Sequence, residues 1–549
     1  MRKHKFLPLM LLLTFSIFSC GLNPQNVPTE KTYEKDEDGF YILEEDYFSY
    51  KEDSSDTRNK SAVYIPKLQS TITQNSQMRL FVGDKQVPIY NVLANNSHSW
   101  TPNNYSRINC GYASIGLKGR VTLKLQTSFK IFEDAKVTPL SRGVKQTIDN
   151  ERRVLTFEIN QTGQYVVEFR GGRTLHLFVE DIDIMSENTQ GTMYFAPGVH
   201  NKGTVYLNSN ASVYLAPGSF VYGKFIANNA SNITISGAGY IDGSKYDRDA
   251  SKGTVTVPIE FNNCSNITLK DFSCIDPAGW TFNMYFCNEV NIDNVKIISS
   301  RSNGDGISIQ SCQNVNVTNS FIRSWDDSLV VKNYPQWSNR NIEGTTRSIH
   351  FNNCILWTGL AQSMEVGYET VGQIMDDISF ENITVLHNFH KAVFSIHNGN
   401  NANITNVRFE NITVEGANMG RGDGSRYLVD IQNLHSSTWS DQHKITGLGS
   451  IDEVTLKNIK VLSGIKNPAI LLEGCLENRD GFPHEAHTIS NVKFIDFYLY
   501  DKVIDSTYEN YITNEYVSNV SFSTTGKEIT GAILDYKDVS DYGNNLIFK

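Results

Sequence analysis

A four-residue unit recurs along this chain from about residue 190: a polar residue, a β-branched residue, a polar residue and a large apolar one. It reads Ser212-Val-Tyr-Leu, Asn232-Ile-Thr-Ile, Asn266-Ile-Thr-Leu, Glu289-Val-Asn-Ile and Asn314-Val-Asn-Val. It continues as Ser348-Ile-His-Phe, Asp377-Ile-Ser-Phe, Asn406-Val-Arg-Phe, Glu453-Val-Thr-Leu and Asn491-Val-Lys-Phe. Successive starts lie 20, 34, 23, 25, 34, 29, 29, 47 and 38 residues apart. Repeats of this period mean a solenoid, a propeller or an array. Short strands, no helical periodicity and Asn at the turns select a right-handed parallel β-helix, in which each coil buries its apolar residues against the coils on either side. The long intervals 314–348 and 406–453 predict inserted loops, which in solenoids gather on one face. The last strand-like unit, Asn519-Val-Ser-Phe, precedes a tail expected to cap the open end.

The rest of the chain has a different character. Runs such as Met78-Arg-Leu-Phe-Val, Val121-Thr-Leu-Lys-Leu and Tyr165-Val-Val-Glu-Phe alternate between turn signals and predict a β-sandwich over 61–185, with no residue pattern that suggests chemistry. Residues 21–60 are dense in Asp, Glu, Lys and Tyr without periodicity, which predicts a solvated acidic tether. In residues 1–20, Arg2, Lys3 and Lys5 precede an apolar run from Phe6 to Phe18, then Ser19-Cys20. That is an export signal too short to span a membrane, and its end resembles a bacterial lipobox, which implies acylation of Cys20. The expected location is therefore outside the cytoplasm, on a lipid anchor in the bacterial cell envelope. The β-helix domain is expected over 186–549, and the whole fold class is all-β.

A net charge of −10 and the lack of any Lys/Arg run beyond the extreme N-terminus exclude nucleic acid as an expected partner. Besides Cys20 there are seven cysteines, and an odd number leaves at least one thiol free. Cys264, Cys287 and Cys312 recur at about one coil and are read as a buried ladder of small residues. No spacing suggests a metal, a cofactor or more than one copy of the chain.

Chemistry concentrates in Asn303-Gly-Asp-Gly306 and Trp325-Asp-Asp-Ser328. Asp305 and Asp326 are 21 residues apart, about one coil, so neighbouring coils would set them side by side. Adjacent side chains of an ideal strand point to opposite faces, so Asp326 and Asp327 must sit at a bend for both to serve one site. Three close carboxyls raise one another's pKa, and inverting glycoside hydrolysis needs one carboxyl protonated and another ionised. The competing reading is that Asn and Asp merely fill solenoid corners.

The Asn303-Gly-Asp305 and Asp326-Asp327 pattern on a β-helix resembles family 28 glycoside hydrolases, the polygalacturonase group. That resemblance implies that Asp326 is the general acid and that Asp305 and Asp327 position and deprotonate water. Gly304 replaces the family's Thr. The family's Gly-His-Gly would fall near Ala361-Gln-Ser-Met-Glu365, and its Arg-Ile-Lys near Phe394-Ser-Ile-His397, where these cationic residues are missing. The expected substrate is accordingly a neutral or atypical polysaccharide or oligosaccharide, with pectin hydrolysis as the alternative. The Trp325–Lys332 and Met364–Tyr368 segments, with the sandwich-plus-helix layout, also resemble family 49, whose members cleave α-glucans with inversion. Asn303, Trp280, Trp325, Lys332, Trp337, Glu365, Tyr368 and His397 are expected to bind sugar. A polysaccharide lyase would need a basic proton abstractor, and a non-catalytic glycan-binding surface protein would not need the carboxyl trio.

Overall fold

The computed structural model describes residues 33–48, 61–94, 108–185, 191, 193–247, 256–334, 344–421, 424–435, 447–478 and 482–526. From Met193 to Ser523 these form a 30-stranded set in which nearly every pairing is parallel and joins one coil to the next, a right-handed β-helix. The repeat explains itself in the backbone. From Asn232 to Asn491 the first residue of every unit lies in the left-handed region, between φ 51° at Asn266 and 58° at Asn232. Asn and Asp tolerate that conformation best among residues with a side chain, because a short polar group can bond locally. The second residue of the unit then points inward. Ile233, Ile267, Val290, Val315, Ile349, Ile378, Val407, Val454 and Val492 form one ladder through the core. The fourth residue forms a second ladder, in which Phe351, Phe380 and Phe409 stack face to face at 4.9 and 5.1 Å. Burying each such side chain contributes about 1.5–3 kcal/mol. Cys264, Cys287 and Cys312 are buried and unoxidised, and the Cys287 backbone N–H faces the Cys312 sulfur at 3.3 Å, as expected of a packing ladder.

Ahead of the β-helix, a six-stranded and a five-stranded sheet enclose a core that includes Leu80, Leu123, Phe157 and Leu177, the expected sandwich. It sits hard against the β-helix. A shared apolar cluster joins Tyr90, Tyr112 and Phe178 to Phe220, Phe321 and Trp357. Around it, Lys296 pairs with Glu180 at 2.5 Å, His387 with Glu168 at 2.8 Å, and Arg323 donates to Thr174 Oγ1 at 2.9 Å.

The described part of the expected tether, 33–48, is packed on the sandwich along one side, while Glu34, Glu37, Asp38, Glu44 and Glu45 stay exposed. Phe40 is buried under the Arg79 guanidinium, which pairs with Asp36 and Asp38, and Tyr47 donates to Asp149. The correction has a simple cause: aromatic residues spaced among the acidic ones give this segment a face to bury. The leader with Cys20, the rest of the tether, the inserted loops at 335–343 and 436–446, and the tail after 526 lie outside the described residues.

Candidate active site

Two turns on neighbouring coils carry the three aspartates. Asp305 immediately precedes strand Ile307–Gln310, and Asp326 and Asp327 precede its parallel neighbour Leu329–Asn333. The turns are stitched together by backbone: Asp326 N–H donates to Gly304 C=O at 3.3 Å, Gly306 N–H to Asp327 C=O at 2.8 Å. The chain bends at Trp325 and Asp326, as is required for two consecutive side chains to face one cavity. Both glycines are enforced by space. A Cβ on Gly304 would stand 2.1 Å from Ser299 Oγ, and one on Gly306 would stand 2.4 Å from Ser328 O. Gly304 in place of a Thr is thus a packing necessity of this loop.

The trio opens into a cavity of 410 Å³ that Trp280, Asn303, Trp325, Lys332 and Tyr368 also line. Asp305 and Asp327 are 2 % and 8 % exposed, so their charged forms are poorly solvated. Burial, then the Asp326 charge, pushes Asp305 well above the usual carboxylate range, with Lys332 opposing. Burial and Asp326 likewise push Asp327 up to about 8, against Lys332 and the Gln362 N–H that donates to Asp327 Oδ1 at 3.1 Å. Coupled carboxyls share their protons, and these cannot all ionise near neutral pH. Lys332 is buried beside them, its Nζ 3.2 Å from Glu369 and 5.3 Å from the centre of the Trp280 ring. Burial alone would lower its pKa, but Glu369, Asp305 and Asp327 overrule that and hold the ammonium charged.

Two expected sugar contacts are corrected. Glu365 and His397 are fully buried and are not among the residues that line this cavity. His397 Nδ1 faces Glu365 at 2.9 Å while Nε2 lies 3.3 Å from Asp430. Burial would keep this imidazole neutral; Glu365 and Asp430 overrule it and raise it to about 10. Tyr368 lies flat on the imidazolium, centroids 4.1 Å apart and planes 3° from parallel, so the ion triad supports the ring that does reach the cavity. The register explains the swap. Val331 pairs with Val366 but Asn333 with Thr370, so the strand bulges between them and turns Tyr368 and Glu369 toward the cavity. Trp325 reaches the cavity edge although its ring is almost wholly buried, packed on Gly359. Trp337 lies outside the described residues.

Glu369, Gln362, His390 and Lys391 line the cavity without having been singled out as sugar contacts. Only the bulge exposes Glu369, and its one sequence signal is Gly367, where a Cβ would stand 2.0 Å from His397 O. His390 and Lys391 arrive on a turn of the next coil but one, just before strand Phe394–Asn398. The histidines of these coils serve different surroundings: His387 faces the sandwich, His390 the cavity and His397 the buried triad.

Among solved structures the fold is similar to Dex49A from Penicillium minioluteum, with TM-score 0.53 and 12% identity, covering 84% of this chain and 96% of that one. A family 28 exopolygalacturonase from Yersinia enterocolitica aligns with TM-score 0.40 and 13% identity over 76% of this chain and 96% of its own. A curated protein of Neosartorya fischeri, named "Putative galacturan 1,4-alpha-galacturonidase C", is 24% identical over 206 residues, 30% of this chain. That match spans 45% of the relative's length, less than half of it. Residues 178–495, more than half of the chain, match the model of Glycosyl hydrolases family 28, and the chain belongs to that family.

Proposed function

We propose that this cavity hydrolyses a glycosidic bond with inversion, using Asp326, Asp305 and Asp327. The observation that carries the reading is the convergence of three carboxyls from adjacent coils in one cavity that keeps part of them protonated. Asp326, the least buried of the three, gives its proton to the glycosidic oxygen as the bond to the anomeric carbon breaks. Water attacks that carbon from the opposite face and passes a proton to the Asp305–Asp327 pair, and solvent restores the starting state. Burial favours the proton on Asp305 and Asp327 in the free site, whereas the family resemblance assigns it to Asp326. We follow the resemblance, because in a coupled trio a proton moves among the members when a sugar displaces water.

The substrate is a neutral glycan in this reading. Lys332 is already paired with Glu369 at 3.2 Å, so it offers no spare charge to a uronate. The second reading, an acidic pectin-type glycan, is favoured by Lys391, a further cation on the wall, and by the name of the curated relative. The leader sequence supports export and a lipid anchor at Cys20, with an extracytoplasmic polysaccharide or oligosaccharide as partner. The test is a panel of dextran, pullulan, neutral galactans and polygalacturonate at equal enzyme, with product anomers followed by NMR. Inverted product from a neutral polymer, abolished by Asp326→Asn, is expected. Retained configuration overturns the mechanism, and a preference for polygalacturonate overturns the neutral-substrate assignment alone. Asp326→Asn should lower kcat by at least about 100-fold while leaving glycan affinity nearly intact.

A further inference from the structure

Behind the Asp326–Asp327 turn runs a row of buried hydroxyls. Ser324 Oγ donates to the Asp326 backbone carbonyl at 2.7 Å and touches Ser328 Oγ at 2.7 Å. Ser328 Oγ touches Thr358 Oγ1 at 2.7 Å, and Thr358 Oγ1 touches Ser363 Oγ at 2.8 Å. The row ends at Asn388, whose Nδ2 donates to Ser363 Oγ at 2.8 Å and to Ala392 C=O at 3.2 Å. Ser324 is 2 % exposed and the other four are fully buried.

The proton direction in this row follows from counting. A carbonyl only accepts, so the single Ser324 proton is committed to Asp326 C=O. Ser328 must then donate to Ser324, Thr358 to Ser328, and Ser363 to Thr358. At the far end the Ala392 carbonyl fixes the Asn388 amide with its NH₂ toward Ser363, which completes the chain without a conflict. Every hydroxyl gives once and receives once, all in one sense, so each bond polarises the next. The row crosses three coils and ties the aspartate turn to the turn that brings His390 and Lys391 to the cavity. One coil earlier Ser299 Oγ donates to Gly304 C=O at 3.0 Å, so the Asp305 turn is held by the same device.

We infer that this one-directional chain from Asn388 to the Asp326 carbonyl sets the position of the Asp326–Asp327 turn, and that Thr358, at its middle, is a positioning residue for the reaction. The kinetic consequence rests on the proposed hydrolysis; the chain itself does not. Thr358→Val keeps the shape and removes the relay, and Thr358→Ser keeps the relay. In Thr358→Val the amides of Asp326 to Leu329 should exchange with deuterium about 10-fold faster, while those of the distant strand Ile489–Leu499 stay unchanged. kcat should fall about 10- to 100-fold with KM altered by less than about 3-fold, because a displaced acid reduces turnover more than binding. Thr358→Ser should restore both readouts.

Unchanged exchange in Thr358→Val overturns the chain whatever the activity. Faster exchange with unchanged kcat, in a protein that Asp326→Asn inactivates, overturns the positioning role. Activity surviving in Asp326→Asn instead overturns the carboxylate reading and the positioning role with it, while the exchange measurement still judges the chain. If Thr358→Val does not fold, Ser328→Ala breaks the same relay with a smaller change and carries the same expectations.

Discussion

Asp327 shows how burial turns an ordinary acid into a conditional one. Its pKa rises from an ordinary value of about 4 to about 8 because burial and Asp326 penalise its charge. Between those values the folded protein holds a proton that the unfolded chain has released, so stability falls as pH rises through this window. Asp327→Asn removes the penalty and keeps an acceptor for the Gln362 N–H. Its Tm should therefore exceed that of the parent at pH 8 and match it near pH 4, and thermal melts at the two pH values check this. Activity should fall as pH rises through about 8, where Asp327 ionises and the coupled trio holds one proton fewer to share with Asp326, and a kcat/KM profile reads that limb. At this scale the sequence was informative about the trio and about Asn303, Trp280, Trp325, Lys332 and Tyr368, all of which reach the cavity. It misled at Glu365 and His397. Alternation along a strand predicts which face a residue takes, but it is blind to the extra residues at Gly367–Glu369, which lay Tyr368 over His397 and seal it beneath the cavity.

The repeating strand-and-turn element owes its shape to left-handed residues that recur at its turns, such as Asn314 and Asn319 in one coil and Ser348 and Asn353 in the next. Asn314 sits at φ 54°, where a β-branched side chain clashes with its own backbone. Asn314→Val should destabilise by about 1–2 kcal/mol and Asn314→Gly by much less, a difference that urea unfolding resolves. The inner ladder is less forgiving. Phe380 is fully buried between Phe351 and Phe409, and Phe380→Ala should cost about 3–5 kcal/mol, since stacked neighbours on both sides cannot close the gap. Both features are legible in the chain because a coil satisfies nearly the same local conditions each time. The hydroxyl row is not legible: Ser324, Ser328, Thr358, Ser363 and Asn388 follow no period, and only coil stacking aligns them.

Across the whole molecule, the sandwich and the β-helix are joined by charge as well as by apolar area. Lys296, from the β-helix, is 1 % exposed and faces Glu180 of the sandwich, which also accepts from Asn294. Lys296→Met leaves that carboxylate buried without its cation and should destabilise by about 3–5 kcal/mol. Calorimetry should then show the sandwich transition moving below that of the β-helix, whereas the parent melts with the two coupled. Nothing in the sequence of 61–185 points to this interface, because Glu168, His176 and Glu180 look like ordinary strand polar residues until the β-helix covers them. The sequence by itself determined the all-β class, the solenoid, the preceding sandwich and the carboxyl trio, since each rests on a short local pattern repeated or placed at one coil's spacing. Only the tertiary structure decided which polar residues meet the cavity, which are sealed beneath it, and how the two halves are held. Those outcomes depend on bulges, coil-to-coil register and the loss of water between surfaces distant in the chain, and none of these leaves a local trace.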